Sequence, residues 1–274
     1  KECYYELLKF CKSKKIKFLS SVFDGESIDF LKNELKINTI KVPSGEITNP
    51  LILDRLNLEH YYIILSTGMS SIKEIVNAIN IISKKVVYKI VNKKIIIKNK
   101  KEFNIIKKKL IVMHCVTDYP VEDRYANLQC INTLQNDLKI KIGYSDHTKG
   151  IIAPLIAVSK GAKVIEKHFT ISKNMKGPDH LASLNPQEFK KMVESIRTFE
   201  KMNGAGVKKM FNCERINKKI ARKSLIANKA IKKGERFTYR NITTKRPGNG
   251  VCSSKIKKYI NMISKKNYQP DDFI

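Results

Sequence analysis

The feature that most constrains the fold of this chain is a regular alternation of strand-length apolar runs with amphipathic segments. Six such runs, each ending in polar residues or glycine, occupy residues 17–23, 39–45, 62–68, 110–116, 141–147 and 163–169. Segments with the apolar spacing of helices lie among them or follow them, at 26–35, 70–83, 150–161 and 185–202. This alternation predicts an α/β fold with a parallel sheet, because parallel strands need long crossover connections.

Two architectures share this pattern, the doubly wound sheet and the (β/α)8 TIM barrel. The chain lacks the G-x-G-x-x-G turn typical of many doubly wound folds. Instead, several runs end in reactive side chains, such as Ser145 and His147 in GYSDH and Glu166 and His168 in VIEKHF. Because the active sites of barrels lie at the C-terminal ends of their strands, this pattern favours a barrel. Six runs leave the barrel two strands short, and we expect those strands upstream of this sequence.

The chain divides into parts of different character. We assign residues 1–203 to the barrel, 204–218 to a linker and 219–274 to a small β-rich domain with short β-like runs and glycine turns. A lysine-rich insert at about 84–109 interrupts the barrel repeat. Within it, Asn92 and Lys93 separate two apolar runs and predict the turn of a hairpin.

The net charge of +29 is an imbalance typical of nucleic-acid-binding proteins. However, lysine supplies 46 of the 54 basic residues and is spread along the whole chain, whereas arginine, the better reader of bases, is scarce. We therefore expect no nucleic acid as partner, although the positive field would attract an anionic small substrate.

The sequence also indicates the cellular compartment of the protein. No apolar run is long enough to span a membrane, and the six cysteines have no CxxC or zinc-module spacing. We therefore expect a cytoplasmic protein with reduced thiols and no membrane partner.

His147 and His168 end two successive apolar runs. If those runs are neighbouring strands of a barrel, both imidazoles can reach the same mouth and share one divalent metal that keeps positions open for substrate. Asp146 and Glu166 beside them are candidates for further ligands or for orienting the imidazoles. The alternative is that each histidine only ends its strand and bonds a neighbour, but their occurrence as a pair favours the metal.

Other strand ends carry groups suited to an anion. Lys41, Ser44 and Ser66 would supply a cation and hydroxyl donors for phosphate or carboxylate. Glu46, in the same KVPSGE segment, would act as acid or base or balance charge.

Two loop residues complete the candidate set. Asp179, in KGPDH, would accept hydrogen bonds from sugar hydroxyls, or the loop would only cap the next helix. Arg246, in KRPGNG, lies beside a proline-stiffened loop that would present its guanidinium to a partner group.

The strings LSTGM, HCVTDYP, GYSDHTKG, VIEKHFT, MKGPDH, SLNPQEF and KRPGNG, in this order, resemble the N-acetylneuraminate (sialic acid) synthase family over nearly all of the chain. The resemblance implies a phosphoenolpyruvate-condensing barrel followed by an antifreeze-protein-like (SAF) domain, in a domain-swapped homodimer. The family's first two strands, which carry an acidic residue and a lysine of the active site, have no counterpart in this sequence. This chain would then be a partial gene product or an inactive remnant, and a barrel without two strands is expected to expose sheet edges and to fold poorly.

The resemblance also implies residue roles. His147 and His168 would hold the divalent metal, Mn2+ or Mg2+, and Glu46 and Lys41 would join them in catalysis. The substrate contacts implied for phosphoenolpyruvate and an N-acetylmannosamine-type sugar are Lys41, Ser44, Ser66, Thr117, Tyr119, Ser145, Asp179 and Arg246. Thr117 stands where some members have asparagine, and Arg246 matches an arginine that the SAF domain inserts into the partner subunit's site.

The implied reaction is the condensation of phosphoenolpyruvate with N-acetylmannosamine and water, which gives N-acetylneuraminate and phosphate. A legionaminate or pseudaminate synthase of the same family is the alternative within the class, and a non-catalytic truncated remnant is the alternative outside it.

Overall fold

The computed structural model describes residues 2–274 and contains two compact units, one that ends at Asn203 and a second, Gly204–Ile274. The predicted linker, 204–218, falls in the second unit, and its end is already helical. In chain order the strands are β1 Thr39–Val42, β2 Tyr62–Ser66, β3 Tyr88–Val91, β4 Lys94–Ile97, β5 Leu110–Cys115, β6 Lys141–Asp146, β7 Ile165–Lys167, β8 Ser224–Ala227 and β9 Ile242–Lys245.

The first unit is built on a five-stranded, wholly parallel sheet with the order β1-β2-β5-β6-β7. Five of the six predicted strands are thus confirmed, and β6 and β7 are neighbours as expected. The prediction of a strand at 17–23 is wrong. This run forms one bridge, between Ser21 and Lys41, because only Lys41 exchanges backbone hydrogen bonds with it. Within residues 2–203, the strands therefore form a parallel half-barrel wall and not a closed barrel.

Of the ten α-helices within residues 2–274, eight belong to the first unit, and the last two belong to the second. In chain order the ten are α1 Glu2–Ser13, α2 Gly25–Asp29, α3 Pro50–Leu53, α4 Ile72–Ile82, α5 Lys100–Lys109, α6 Cys130–Leu138, α7 Ile152–Ser159, α8 Pro186–Asn203, α9 Arg215–Ala221 and α10 Ile256–Tyr259. A π-helical turn, Phe30–Glu34, continues α2. The start of α4 shows how the sequence sets a boundary, since Ser71 and Glu74 form a reciprocal capping box.

The core lies between one face of the sheet and the helices. Alternate residues of the strands, including Ile63, Leu65 and Val112, are fully buried against helix residues such as Ile79 and Ile106. Because side chains alternate along a strand, the residues between them point to the opposite face, where the candidate site residues of the strands lie.

The lysine-rich insert contains the predicted hairpin. Strands β3 and β4 pair antiparallel, and Asn92 and Lys93 both have positive φ, at 48° and 62°. Two consecutive positive values are what a type I′ turn requires, so the turn is as predicted. Tyr88 anchors the hairpin, since its ring is buried and its hydroxyl donates to the carbonyl of Leu138 at 2.5 Å.

We expect Tyr88→Phe to lower the free energy of unfolding by about 1–3 kcal/mol, because the Leu138 carbonyl would lose its partner while staying buried. Urea unfolding of the full chain measures the change. Tyr62→Phe is the matched control, because Tyr62 is 48% exposed, and it should change stability by less than about 0.5 kcal/mol. Equal effects of the two substitutions would contradict the anchoring role.

The second unit is small and β-rich, as predicted. Strands β8 and β9 pair antiparallel, and a separate core of Leu225, Ala227, Ile231, Phe237 and Ile242 lies beneath them. Gly234 adopts φ 89° at the turn expected there. Over residues 2–274, no helix combines the length and apolar character needed to cross a membrane.

Candidate active site

The register of the sheet places several of the predicted site residues on one face. Ser145 pairs with Cys115 on one side and with Glu166 on the other, so these three side chains share a face. Following the pairs across β5, β2 and β1 assigns Ser66 and Lys41 to that face as well. Histidines 147 and 168 follow two residues after Ser145 and Glu166, which continues the alternation at the C-terminal edge.

Lys41, Ser145 and Glu166 form one hydrogen-bonded group. The Glu166 carboxylate accepts from Lys41 Nζ at 2.8 Å and from Ser145 Oγ at 2.7 Å. Lys41 lies on β1 and Glu166 on β7, which are the two edge strands of the sheet. Their contact shows that the sheet is strongly curled, with this face on the concave side.

Burial by itself would raise the pKa of Glu166, but the charge of Lys41 and the hydrogen bonds from Lys41 and Ser145 hold that pKa below its usual value. Glu166 is therefore a carboxylate at neutral pH. An incoming anion would find the Lys41 ammonium, which is almost fully buried, already oriented by Glu166.

His147 is held in a defined tautomer. Its Nδ1 lies 2.6 Å from the carbonyl of Val116, so this nitrogen donates its hydrogen and Nε2 keeps its lone pair. Burial lowers the pKa of His147 despite the hydrogen bond to Val116, which favours the neutral, metal-binding form. The ring centroid of His168 is 5.4 Å away.

Tyr119 and Asp179 border the two histidines. The Tyr119 ring lies 4.2 Å from His147 and 5.4 Å from His168, centroid to centroid, and burial raises the pKa of its phenol. Asp179 Oδ2 is 3.7 Å from His168 Nδ1. Both residues thus lie beside the two histidines at the rim of the concave face, and their role as sugar contacts stays a prediction.

Three other predicted residues, Ser44, Ser66 and Thr117, are hydroxyl-bearing and lie at the C-terminal ends of β1, β2 and β5. Ser44 Oγ accepts from the Gly68 amide at 2.9 Å and lies 3.2 Å from Cys115 Sγ. Ser66 Oγ and Thr117 Oγ1 are buried without a hydrogen-bond partner in the described part of the chain. Because buried hydroxyls are normally bonded, these two are available to a ligand.

Gly68 leaves the space that the hydroxyls of Ser44 and Thr117 occupy. A Cβ at position 68 would lie 2.1 Å from Thr117 Oγ1 and 2.9 Å from Ser44 Oγ. We expect Gly68→Ala to displace both hydroxyls and to lower kcat/KM by about a hundredfold, since about 1 Å of misplacement can have that effect. Gly45→Ala is the control, because a Cβ there meets nothing within 4 Å. Equal activity of the two variants would contradict the assignment.

Glu46 and Arg246 lie apart from the hydrogen-bonded group. Glu46 belongs to the turn Ser44–Glu46, and its carboxylate accepts from Asn49 Nδ2 at 2.6 Å. This contact suits charge balance or local structure, and a catalytic role for Glu46 stays a prediction. Arg246 is in the second unit, and its role also stays a prediction.

Asp146 is not a metal ligand in this arrangement. It is fully buried on the helix-facing side of β6, where its carboxylate bonds Lys167 Nζ at 2.5 Å and accepts from Thr148 N, Thr148 Oγ1 and Tyr144 OH. Lys167 Nζ also donates to the carbonyl of Thr148. This buried ion pair joins β6 to β7 on the face of the sheet opposite to His147 and His168.

Sequence reasoning underrated Glu166, which it treated only as a flanking residue, and missed Lys167 and Gly68. The signal for Glu166 was present, because it is two residues before His168 in a strand and therefore shares its face. Lys167 could have been inferred by the same alternation as the partner of Asp146 on the next strand.

The two histidines fit a divalent metal. Two imidazoles 5.4 Å apart, one with Nδ1 fixed by a carbonyl, match a catalytic site in which water and substrate supply the other ligands. Within residues 2–274, no group of three or more His, Cys, Asp and Glu side chains forms a complete metal cluster. The metal itself stays a prediction.

A parallel wall with reactive groups at the C-terminal ends of its strands defines a barrel-type enzyme. The NeuB family model matches residues 1–208, and the SAF domain model matches residues 222–274. This chain belongs to the NeuB family and carries a SAF domain after the family's barrel region. The resemblance to sialic acid synthases is thereby confirmed.

Curated relatives span several sugar-acid synthases. The N,N'-diacetyllegionaminic acid synthase of Campylobacter jejuni is 42% identical over 273 residues, which cover 100% of this chain and 76% of the relative. The corresponding Legionella pneumophila enzyme is 36% identical, with 94% and 68% covered. The N-acetylneuraminate-9-phosphate synthase of Homo sapiens is 31% identical, with 88% and 62% covered.

Solved structures agree with the fold. The N-acetylneuraminic acid synthetase of Leptospira borgpetersenii, in complex with citrate, matches with a TM-score of 0.65 and 32% identity over 78% of this chain and 67% of that one. The Bacillus subtilis spore coat polysaccharide biosynthesis protein SpsE matches with a TM-score of 0.61 and 30% identity over 98% and 75%.

Proposed function

We propose that this chain is a phosphoenolpyruvate-dependent synthase of the sialic acid type, and that its product is N,N'-diacetyllegionaminic acid. Its sugar substrate would be the open-chain form of a diacetamido mannose-type sugar. The observation that carries the class of reaction is the convergence of Lys41, Ser145, Glu166, His147 and His168 on one concave face in a member of the NeuB family.

The proposed sugar substrate differs from the one expected from the sequence motifs. N-acetylneuraminate was the product expected from the resemblance, with legionaminate as an alternative. The legionaminic acid synthases are 42% and 36% identical to this chain, whereas the N-acetylneuraminate-9-phosphate synthases and the pseudaminic acid synthase are 31% or 32% identical. Legionaminate is therefore the better-supported product.

The chemistry follows from the side chains. Lys41 would offset the negative charge of phosphoenolpyruvate, and Ser44 and Ser66 would donate hydrogen bonds to its oxygens. Ser145 would lie beside the bound phosphoenolpyruvate, with its hydroxyl hydrogen donated to Glu166. Glu166 would keep Lys41 and Ser145 oriented. Holding the two substrates in register would supply much of the rate advantage.

The sugar would lie at the rim of the concave face of the sheet. Asp179 and Tyr119 would contact its hydroxyl groups, and Thr117 would offer its unpartnered hydroxyl from the inner wall. His147 and His168 would hold Mn2+ or Mg2+, which acts as a Lewis acid on a carbonyl group when bound. In the proposed homodimer, Arg246 would reach into the active site of the partner subunit and contact substrate there.

The test is phosphate release from phosphoenolpyruvate with Mn2+ and either 2,4-diacetamido-2,4,6-trideoxymannose or N-acetylmannosamine, with the product identified by mass. Because the chain spans about three quarters of the C. jejuni relative, the protein is assayed as this sequence and as the longer product of any in-frame upstream coding sequence. We expect faster turnover with the diacetamido sugar. A preference for N-acetylmannosamine would reinstate N-acetylneuraminate as product, and no release with either sugar would support a non-catalytic remnant.

A further inference from the structure

The loop that carries Arg246 is closed around one buried residue, Ser224 of β8. Lys245, the last residue of β9, pairs with Ser224 in the antiparallel register. On the other side of β8, Cys252 lies opposite Ser224, and the bonds there run from Leu225 N to the carbonyl of Val251 and from Ser253 N to the carbonyl of Lys223. The two ends of the loop 246–251 are therefore fixed at Ser224 and at its two chain neighbours.

The side chain of Ser224 holds the middle of the same loop. Its hydroxyl donates to the carbonyl of Pro247 at 2.7 Å and accepts from the amide of Gly250 at 2.9 Å. Ser224 has no exposed surface, so water does not compete for these bonds. One hydroxyl thus uses its donor and an acceptor position to define the shape of the loop.

Helix α9 fixes the outer side of the loop. The Gly248 amide donates to the carbonyl of Lys219 at 2.6 Å, and Arg246 Nε donates to the carbonyl of Ala221 at 3.0 Å. The Nε bond sets the direction of the guanidinium and leaves its two terminal amino groups for a planar anion. The Arg246 side chain is exposed and free to reach a ligand.

We propose that Ser224 is a positioning residue for Arg246, and that its hydroxyl holds the loop in the shape that presents the guanidinium to a bound substrate. This inference rests on the proposed function, in which Arg246 contacts substrate in the active site of the partner subunit. It assigns a catalytic consequence to a residue that is buried in the second unit and touches no substrate.

A double-mutant cycle separates positioning from simple stabilisation. We expect Ser224→Ala to lower kcat/KM for phosphoenolpyruvate at least about tenfold, because small displacements of a binding group have large effects. In an Arg246→Ala background, Ser224→Ala should cause no further loss. Ser224→Thr, which restores the hydroxyl, should recover activity.

Ser264→Ala is the matched control. Ser264 is as buried as Ser224 and donates to the carbonyl of Lys266, but it does not contact the Arg246 loop. Its loss should lower the thermal unfolding midpoint without changing kcat/KM. A comparable fall of kcat/KM in the Ser264 variant would overturn the inference.

Three other results would also overturn it. Equal losses from Ser224→Ala in both backgrounds would show that Ser224 acts on the fold alone. Full activity of Arg246→Ala would remove the role on which the inference depends, while leaving the synthase reaction intact. An inactive wild-type protein would remove the proposed function and the inference together.

Hydrogen exchange tests the loop even if Ser224→Ala does not fold. In the wild-type protein, we expect slow exchange of the Gly248 and Gly250 amides, since both are bonded. Exchange of the Gly250 amide as fast as an exposed loop amide would overturn the proposal.

Discussion

Replacing His147 with alanine should abolish Mn2+ binding and lower the synthase rate more than about a hundredfold, because even indirect partners of metal ligands contribute about 10–100-fold. The imidazole would supply one of the two proposed histidine ligands, and its Nε2 is made available by the Nδ1 bond to Val116. Calorimetric titration with Mn2+ measures the binding separately from turnover.

His60→Ala is the control for this substitution. His60 is exposed and belongs to a connection before β2, so its loss removes an imidazole without touching the site. Unchanged Mn2+ affinity in the His147 variant would show that the two histidines do not share a metal, whatever the effect on turnover.

Replacing Lys167 with methionine should lower the free energy of unfolding by about 3–5 kcal/mol, because it leaves a buried carboxylate without its cation. Lys167 and Asp146 have side chains only 1% and 0% exposed, and their bond spans β6 and β7. Urea unfolding of the variant and the wild-type protein gives the difference.

Two further variants show whether the loss comes from the unpaired charge. Combining Lys167→Met with Asp146→Asn should recover much of the stability, since an asparagine oxygen can still accept from Thr148 and Tyr144. Lys190→Met breaks an exposed pair with Glu194 and should change stability by less than about 1 kcal/mol. A Lys167 variant no less stable than the Lys190 variant would refute the argument.

Features that depend on local sequence were predictable. The hairpin turn at Asn92 and Lys93 needs two residues that tolerate positive φ, and the pairing of the two histidine-bearing strands follows from their order along the chain. The run at 17–23 was mispredicted because apolar composition alone does not show whether a segment continues its backbone pairing with a neighbouring strand beyond a single bridge.

Features that depend on curvature or on side-chain packing were not predictable from one sequence. The contact between Lys41 and Glu166 requires the sheet to curl, and no local pattern encodes that curvature. The hydroxyl of Ser224 lies outside every motif that marks the site, and its bonds to the Arg246 loop become visible only when the loop is folded.

The contact between Lys41 and Glu166 has a consequence for the order of folding. The two residues are 125 positions apart in the chain, and the strands between them must assemble before the ammonium and the carboxylate can meet. Contacts of such long range form late, because the chain loses entropy in closing the loop before any contact energy is gained. In a nascent or partly folded molecule, Lys41 Nζ is therefore not yet oriented by Glu166. If phosphoenolpyruvate is the substrate, as proposed, affinity for it would arise only with the complete five-stranded wall, and its binding would report that the wall has formed.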